Sequence, residues 1–323
     1  MGRFDTDSHV PQDEHGELNP QPSGEVLPTD GSDVAGLSGW LESRTPREGL
    51  SAKVAKVVQV LTTHPRSASY IGAAEVAERA GVNIATVTRT AQKLGFAGWP
   101  ALQQELRARF LLSLSLPEVA AAHGQLTGSP ATASVQQDLD ALVVLSRAQD
   151  VEVFSSVVHA IAHSRQTLVV ALGSYAAVGK ALAHNVRLMG YPALLLDEPT
   201  TMANTLAGVG PGDVVVAVSF WRMYRSTVQA AELARAREAT VCAITDTISS
   251  PLAAYAHHLL LTPAESVSFF PSLTAGVSVA QALCAELASL DPERTRRTIA
   301  TAEETWDYFG LMDRPRGRRL DET

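Results

Sequence analysis

The sequence predicts two domains of different class, an all-α helix-turn-helix unit followed by a five-stranded parallel α/β unit. Three observations lead there. The chain has 323 residues, 46% of them apolar, which is more than one small domain needs. From Leu50 to Phe110 apolar residues recur at helical spacing. Beyond Gln166, short and nearly continuous apolar runs alternate with amphipathic stretches. That alternation is the signature of a parallel sheet covered on both faces.

Residues 1–46 hold nine Asp/Glu against two Arg, with many Pro, Gly and Ser and no sustained apolar period. Such a segment buries too little surface to offset its ordering entropy and is expected to be disordered. Residues 47–112 hold nine Lys/Arg against four Glu, while residues 113–323 hold 15 basic and 21 acidic groups. The net charge of −8 therefore hides a basic excess confined to one domain-sized segment. No run of eighteen apolar residues occurs and the N-terminus is polar, so neither a membrane span nor a signal peptide is expected. Cys242 and Cys284 sit in apolar runs without metal or redox spacing and read as buried small hydrophobes. A cytoplasmic location fits these features.

In the basic segment, Val54, Val57, Val58 and Leu61 mark the first helix, capped by Ser51 and stopped at His64-Pro65. Three short helices follow. The middle of this segment, Ala74 to Arg89, reads as helix, turn, helix. Ala77 is small where two helices cross. Gly81 stands where a left-handed residue ends the first helix, and Asn83 is a strong cap for the second. Ile84, Val87, Ala91 and Leu94 form the predicted buried stripe. Ala85, Thr86, Arg89, Gln92 and Lys93 form the opposite face, flanked by Thr88. Hydrogen-bonding groups and cations on a short helix suit the major groove of double-stranded DNA. Asn83 and Thr86, near the helix start, are the base-edge candidates, and Arg89 suits a guanine or a phosphate.

Residues 113–133, with Pro117, Gly124, Gly128 and Pro130, read as a linker. Helices are expected near 134–147 and 151–163. Strands are expected near 167–172, 193–196, 214–219, 241–245 and 258–261, with helices near 176–189, 202–207, 225–238 and 251–256. A long apolar helix near 273–290 closes the second domain, which spans 134–291, and residues 292–323 read as a charged peripheral tail.

The stretch Lys93-Leu94-Gly95-Phe96-Ala97-Gly98-Trp99-Pro100 carries a specific resemblance. With the capped turn before it, the segment resembles the DNA-binding domain of the MurR/RpiR family. The resemblance implies a following sugar-isomerase (SIS) domain, a flavodoxin-like α/β sandwich, over the βα region. It also implies a phosphosugar pocket built from two loops, Gly-x-Gly-x-Ser after the first strand and Ser-x-Ser-Gly-x-Thr after the third. This chain departs from both. Ala171 replaces the first Gly and Tyr175 the Ser. After Ser219 come Trp221, Arg222 and Tyr224 in place of Ser, Gly and Thr.

Ligands of open parallel sheets collect at the carboxyl ends of the strands. The candidates there are Gly173, Ser174, Tyr175, Ser219, Trp221, Arg222, Arg225 and Thr245. Two readings stand. Arg222 and Arg225 replace the hydroxyls as donors to a small anionic metabolite, with Trp221, Tyr224 and Tyr175 lining the pocket. Alternatively those side chains fill the pocket and the domain only dimerises. Glu265, after the fifth strand, reads as a solvated loop acid, and His184 as a packed or surface residue. Trp99 reads as a core anchor.

A sugar-phosphate isomerase is the competing class. Isomerisation requires a placed base near a sugar carbon, and Glu265 is the one obvious candidate, with nothing pairing it to an acid. The expectation is therefore a regulator rather than an enzyme, with no cofactor and no metal. As a homodimer or homotetramer it would meet a pseudo-palindromic operator.

Overall fold

The computed structural model describes residues 39–45, 50–113, 118, 129–148, 150–221, 223–268 and 270–313. Most of the expected acidic segment, most of the expected linker, and Arg222 lie outside these residues.

The first domain contains α1 (Ala52–Thr63), α2 (Pro65–Tyr70), α3 (Ala73–Ala80), α4 (Ile84–Lys93) and α5 (Trp99–Ser113). Its core gathers Leu41, Val57, Leu61, Val76, Ala77, Val87, Ala91, Leu94, Trp99, Leu102 and Leu106. Gly81 ends α3 at φ 61° and ψ 42°, a left-handed conformation that strains residues with a Cβ. The Val82 N–H then reaches back to the Ala77 carbonyl at 2.9 Å, and the chain turns directly into Asn83.

Helices α6 (Pro130–Ala148) and α7 (Val151–His163) precede the sheet. The strands are β1 (Gln166–Ala171), β2 (Ala193–Leu196), β3 (Asp213–Val218), β4 (Thr240–Thr245) and β5 (His258–Leu261). All pairs are parallel and the order is β2-β1-β3-β4-β5. Between them run α8 (Ala176–Leu188), α9 (Pro199–Leu206) and α10 (Arg225–Ala236). After β4 the chain makes a short 3₁₀ turn, Pro251–Ala254, where the sequence predicts an α-helix. Then follow α11 (Thr274–Leu290) and α12 (Pro292–Phe309).

Strand alternation sorts side chains to two cores. Val169, Ala171, Val214, Val216, Val218, Cys242 and Ile244 meet α7, α8 and α11 residues. Leu168, Val170, Val215, Ala217, Val241 and Ala243 face the other way, toward Met202, Leu206, Ala230 and Ala234. Within the segment read as a charged peripheral tail, Pro292–Phe309 form α12. Asp291 caps it, Arg294 donates to the Gly190 carbonyl at 2.6 Å, and its guanidinium stacks 3.9 Å from the Tyr191 ring. Both cysteines are buried thiols, as expected from their apolar runs.

Helix α8 lies directly on β1 and β2 because Gly179 has no side chain. A Cβ there would stand 2.7 Å from Ala171 Cβ and 2.9 Å from Leu195 Cδ1. Gly179→Val is expected to destabilise the α/β domain by about 1–3 kcal/mol or more through overpacking. Urea denaturation followed by circular dichroism checks this.

Candidate functional site

Two regions carry chemistry, the exposed face of α4 and the carboxyl ends of β3, β4 and β5.

At the start of α4 the Asn83 Oδ1 accepts from the Thr86 N–H at 2.8 Å and from the Thr86 hydroxyl at 2.7 Å. Ala85, Arg89, Gln92 and Lys93 are exposed, and Thr88 is half-buried beside them. These positions recur every three or four residues and form one face. Two expectations about this helix are corrected. Thr86 is buried, and Ile84, assigned to the core stripe, is 53% exposed. The buried arc runs through Thr86, Val87, Thr90, Ala91 and Leu94. Threonine suits that arc because its hydroxyl is satisfied locally: Thr90 donates to the Thr86 carbonyl at 2.7 Å. Its methyl group is then free to pack inward.

At the sheet, the predicted residues do not converge on one crevice. Ser174 and Arg225 are exposed, while Tyr175, Ser219, Trp221 and Thr245 are buried. Tyr175 packs edge-on to Phe220 and Tyr224, with ring centroids 5.3 and 6.1 Å away. The Tyr224 side chain stands against Gly173, where an added Cβ would collide with its hydroxyl. Gly173 and Ser174 themselves remain exposed. The Thr245 hydroxyl turns to Asp246, 3.4 Å away. Among the described residues of the predicted set, Trp221 lines a cavity between the first domain and the sheet.

That cavity, of about 700 Å³, lies where the first domain meets the sheet. Helix α5 contributes Gln104, Arg107 and Leu111 to its wall, α6 contributes Gln137 and Arg147, and the strand ends contribute Trp221, Asp246 and Glu265. Trp221 is buried and its indole N–H has no hydrogen-bond partner among the described residues. Glu265 is not a solvated loop acid: it is half-buried, paired with Arg107 and within 3.4 Å of Gln137 Nε2.

Beside the cavity stands a group that sequence reasoning missed. Glu105 of α5 is 4% exposed. Its carboxylate accepts from the Thr247 and Ser249 hydroxyls after β4 and from Arg109 Nε at 3.1 Å. Arg109 also donates to Ser249, and its guanidinium lies 4.1 Å from the Trp40 ring centroid. A single acid within a basic stretch offered no signal, because its hydroxyl partners lie more than a hundred residues away.

Burial pushes the Asp246 carboxyl up to about 7, and the charge of Glu105 acts in the same direction. Hydrogen bonds from the backbone N–H groups of Asp246 and Trp221 oppose this. The folded chain therefore holds a proton on Asp246, between about pH 4 and 7, that the unfolded chain has released. Its contribution to stability falls as pH rises through that window. Asp246→Asn is expected to flatten the decline, which for one such group approaches about 1.4 kcal/mol per pH unit. Urea midpoints measured across pH 4–8 check it.

Comparison with known proteins matches the two domains separately. Residues 41–111 match the helix-turn-helix domain of the rpiR family, and residues 160–286 match the SIS domain. An uncharacterised HTH-type transcriptional regulator of Escherichia coli, YfhH, is 25% identical over 234 residues, covering 71% of this chain and 83% of that protein. The sugar isomerase domain of an RpiR transcription factor from Sphaerobacter thermophilus is 30% identical, with a TM-score of 0.53. The match covers 54% of this chain and 98% of that one. The Vibrio vulnificus NanR protein, complexed with ManNAc-6P, shares the fold at 20% identity and a TM-score of 0.53, over 86% of this chain and all of that one.

Proposed function

We propose that this chain, which belongs to the RpiR-type regulators by its helix-turn-helix and SIS domains, binds an operator and senses a small anionic metabolite. The observation that carries the reading is the placement of the cavity. Its wall comes partly from α5, the last helix of the DNA-reading domain, and partly from the strand ends of the α/β domain. A ligand held there touches both domains, so its binding energy depends on how they are disposed. That is the requirement for coupling, whose usual scale is about 1–3 kcal/mol.

DNA is read by α4. Arg89, Gln92 and Lys93 reach toward base edges and phosphates, with Thr88 beside them. Asn83 spends its carbonyl oxygen on the cap, which leaves its amide N–H groups for the DNA. Exposed Ile84 and Ala85 suit a thymine methyl. Thr86 acts from inside, by orienting Asn83.

The ligand is a sugar phosphate or a related phosphate or carboxylate. The NanR structure, with its phosphosugar, supports that class. The ligand site in this chain lies nearer the interdomain cavity than the loop after β1, where the Tyr224 side chain crowds Gly173. Arg147 on the cavity wall is a cation suited to the anion. Arg222, the guanidinium first expected in this role, lies outside the described residues, and Arg225 is exposed at the start of α10.

Sensing is favoured over isomerisation by the state of Glu265. It is engaged by Arg107 from the DNA-reading domain, a partner that fits an interface role better than a free base. The second copy that a pseudo-palindromic operator demands has a surface on α6. Val135, Leu139 and Val143 are exposed at one residue per helical turn.

Arg89→Ala is expected to weaken operator binding by about 1–3 kcal/mol without lowering thermal stability. Footprinting near the protein's own gene supplies the operator, and fluorescence anisotropy measures the affinity. Unchanged affinity would remove α4 from the reading role.

A further inference from the structure

Glu105 is an unusual choice for a domain interface. An ionised carboxylate removed from water costs several kcal/mol unless it is paired and hydrogen-bonded, and an apolar side chain of similar size would avoid that cost. Here three donors converge on it: the Thr247 hydroxyl, the Ser249 hydroxyl and Arg109 Nε. Two come from the loop after β4 and one from α5 itself. Thr247 is 1% exposed, so its hydroxyl has left water to meet this carboxylate. Ser249 is further oriented by Arg109, and its own N–H donates to Thr247 Oγ1 at 3.1 Å. Two hydroxyls and a guanidinium aimed at two oxygens form an oxyanion site, and the DNA-reading domain fills it with its own side chain.

The interdomain cavity comes within one residue of this contact on both sides. Asp246, adjacent to Thr247, lines the cavity, as does Gln104, adjacent to Glu105. The unpartnered indole N–H of Trp221 belongs to a residue on the same wall. A molecule with an oxyanion at one end and a polar body would extend from the β4 loop into this space.

We propose that the β4 loop, through Thr247 and Ser249, is an oxyanion site occupied by Glu105 in the state described. A phosphate- or carboxylate-bearing ligand takes these hydroxyls in competition with Glu105. Two anions do not share the site, so Glu105 is expelled and α5 moves off the β4 loop. The contact thus acts as an internal mimic of the ligand and as the latch between the domains. This deepens the sensor reading above and rests on it for its biological meaning, while the site and the latch are tested without DNA.

The test uses the full chain and inorganic phosphate, with acetate as the carboxylate arm. Titration calorimetry measures binding. Spin labels at Glu78→Cys on α3 and Glu232→Cys on α10, both exposed positions, report the interdomain distance by electron resonance. Cys242 and Cys284 are buried and do not compete for the label. Glu105→Ala leaves three donors without an acceptor. It is expected to bind phosphate at least tenfold more tightly than the wild type and to broaden the distance distribution. Adding Thr247→Ala and Ser249→Ala is expected to abolish the gained binding. Glu105→Gln, which keeps the shape, should move both readouts the same way by less, and serves if the alanine variant folds poorly. Acetate binding alongside phosphate assigns the site to oxyanions in general, and phosphate alone assigns it to phosphate esters. Phosphate affinity equal to wild type in both Glu105 variants, retention of the gain in the triple variant, or an unchanged distance would overturn the proposal. A wild-type chain that fails to bind operator DNA sinks the regulator reading instead, and leaves the phosphate titration fully interpretable.

Discussion

The arrangement of the two domains depends on one helix belonging to both. Trp99, Leu102 and Leu106 anchor α5 in the first core, while Leu111, near its end, joins the core under the sheet. Between these anchors stand Glu105, Arg107 and Arg109, each bonded across the domain boundary. Arg107 is also tied inward, donating to the Ser69 carbonyl at 2.9 Å. A rigid helix with an end in each core transmits any displacement at the sheet to the helix-turn-helix. The polar middle of α5 makes the join switchable, because hydrogen-bonded charges can exchange partners where packed methyl groups cannot.

The sheet sets what that helix meets. Its order, β2-β1-β3-β4-β5, puts the carboxyl ends of β3, β4 and β5 side by side. On the β1 side Tyr224 packs against Gly173, and buried Tyr175 packs edge-on to Phe220 and Tyr224. Space persists on the β4–β5 side, where α5 and α6 roof it. Burial keeps Asp246 at this cavity protonated up to about pH 7, and below that pH it repels a negative ligand less than an ordinary carboxylate does.

Local chemistry was legible where one residue type answers one geometric need. Gly81 and Asn83 announced the turn and the cap, and the structure puts a left-handed residue and a side-chain cap there. Alternating valines announced β3, and consecutive ones do face opposite cores. Legibility failed where burial was inferred from polarity. Thr86 reads as a surface residue, yet its hydroxyl finds an acceptor on Asn83 and its side chain is buried, as is that of Thr90, whose hydroxyl reaches the Thr86 carbonyl. Ile84 looks like core, yet it is 53% exposed at the first position of α4, a turn before Val87 and Ala91 take up the packing. A pattern of apolar positions does not say where along a helix the packing begins.

The sequence by itself determined that this chain has a capped helix-turn-helix followed by a five-stranded parallel sheet, because caps, turns and strand alternation are set by neighbours within a few residues. It also determined the class of protein, through the run from Leu94 to Trp99 that the family shares. Tertiary structure alone decided where the cavity lies and what guards it. Glu105 meets Thr247 across 142 residues of chain, and Arg107 meets Glu265 across 158. No local pattern encodes such pairs. They exist because α5 is held at both ends by hydrophobic cores, and what faces the β4 loop follows from that geometry.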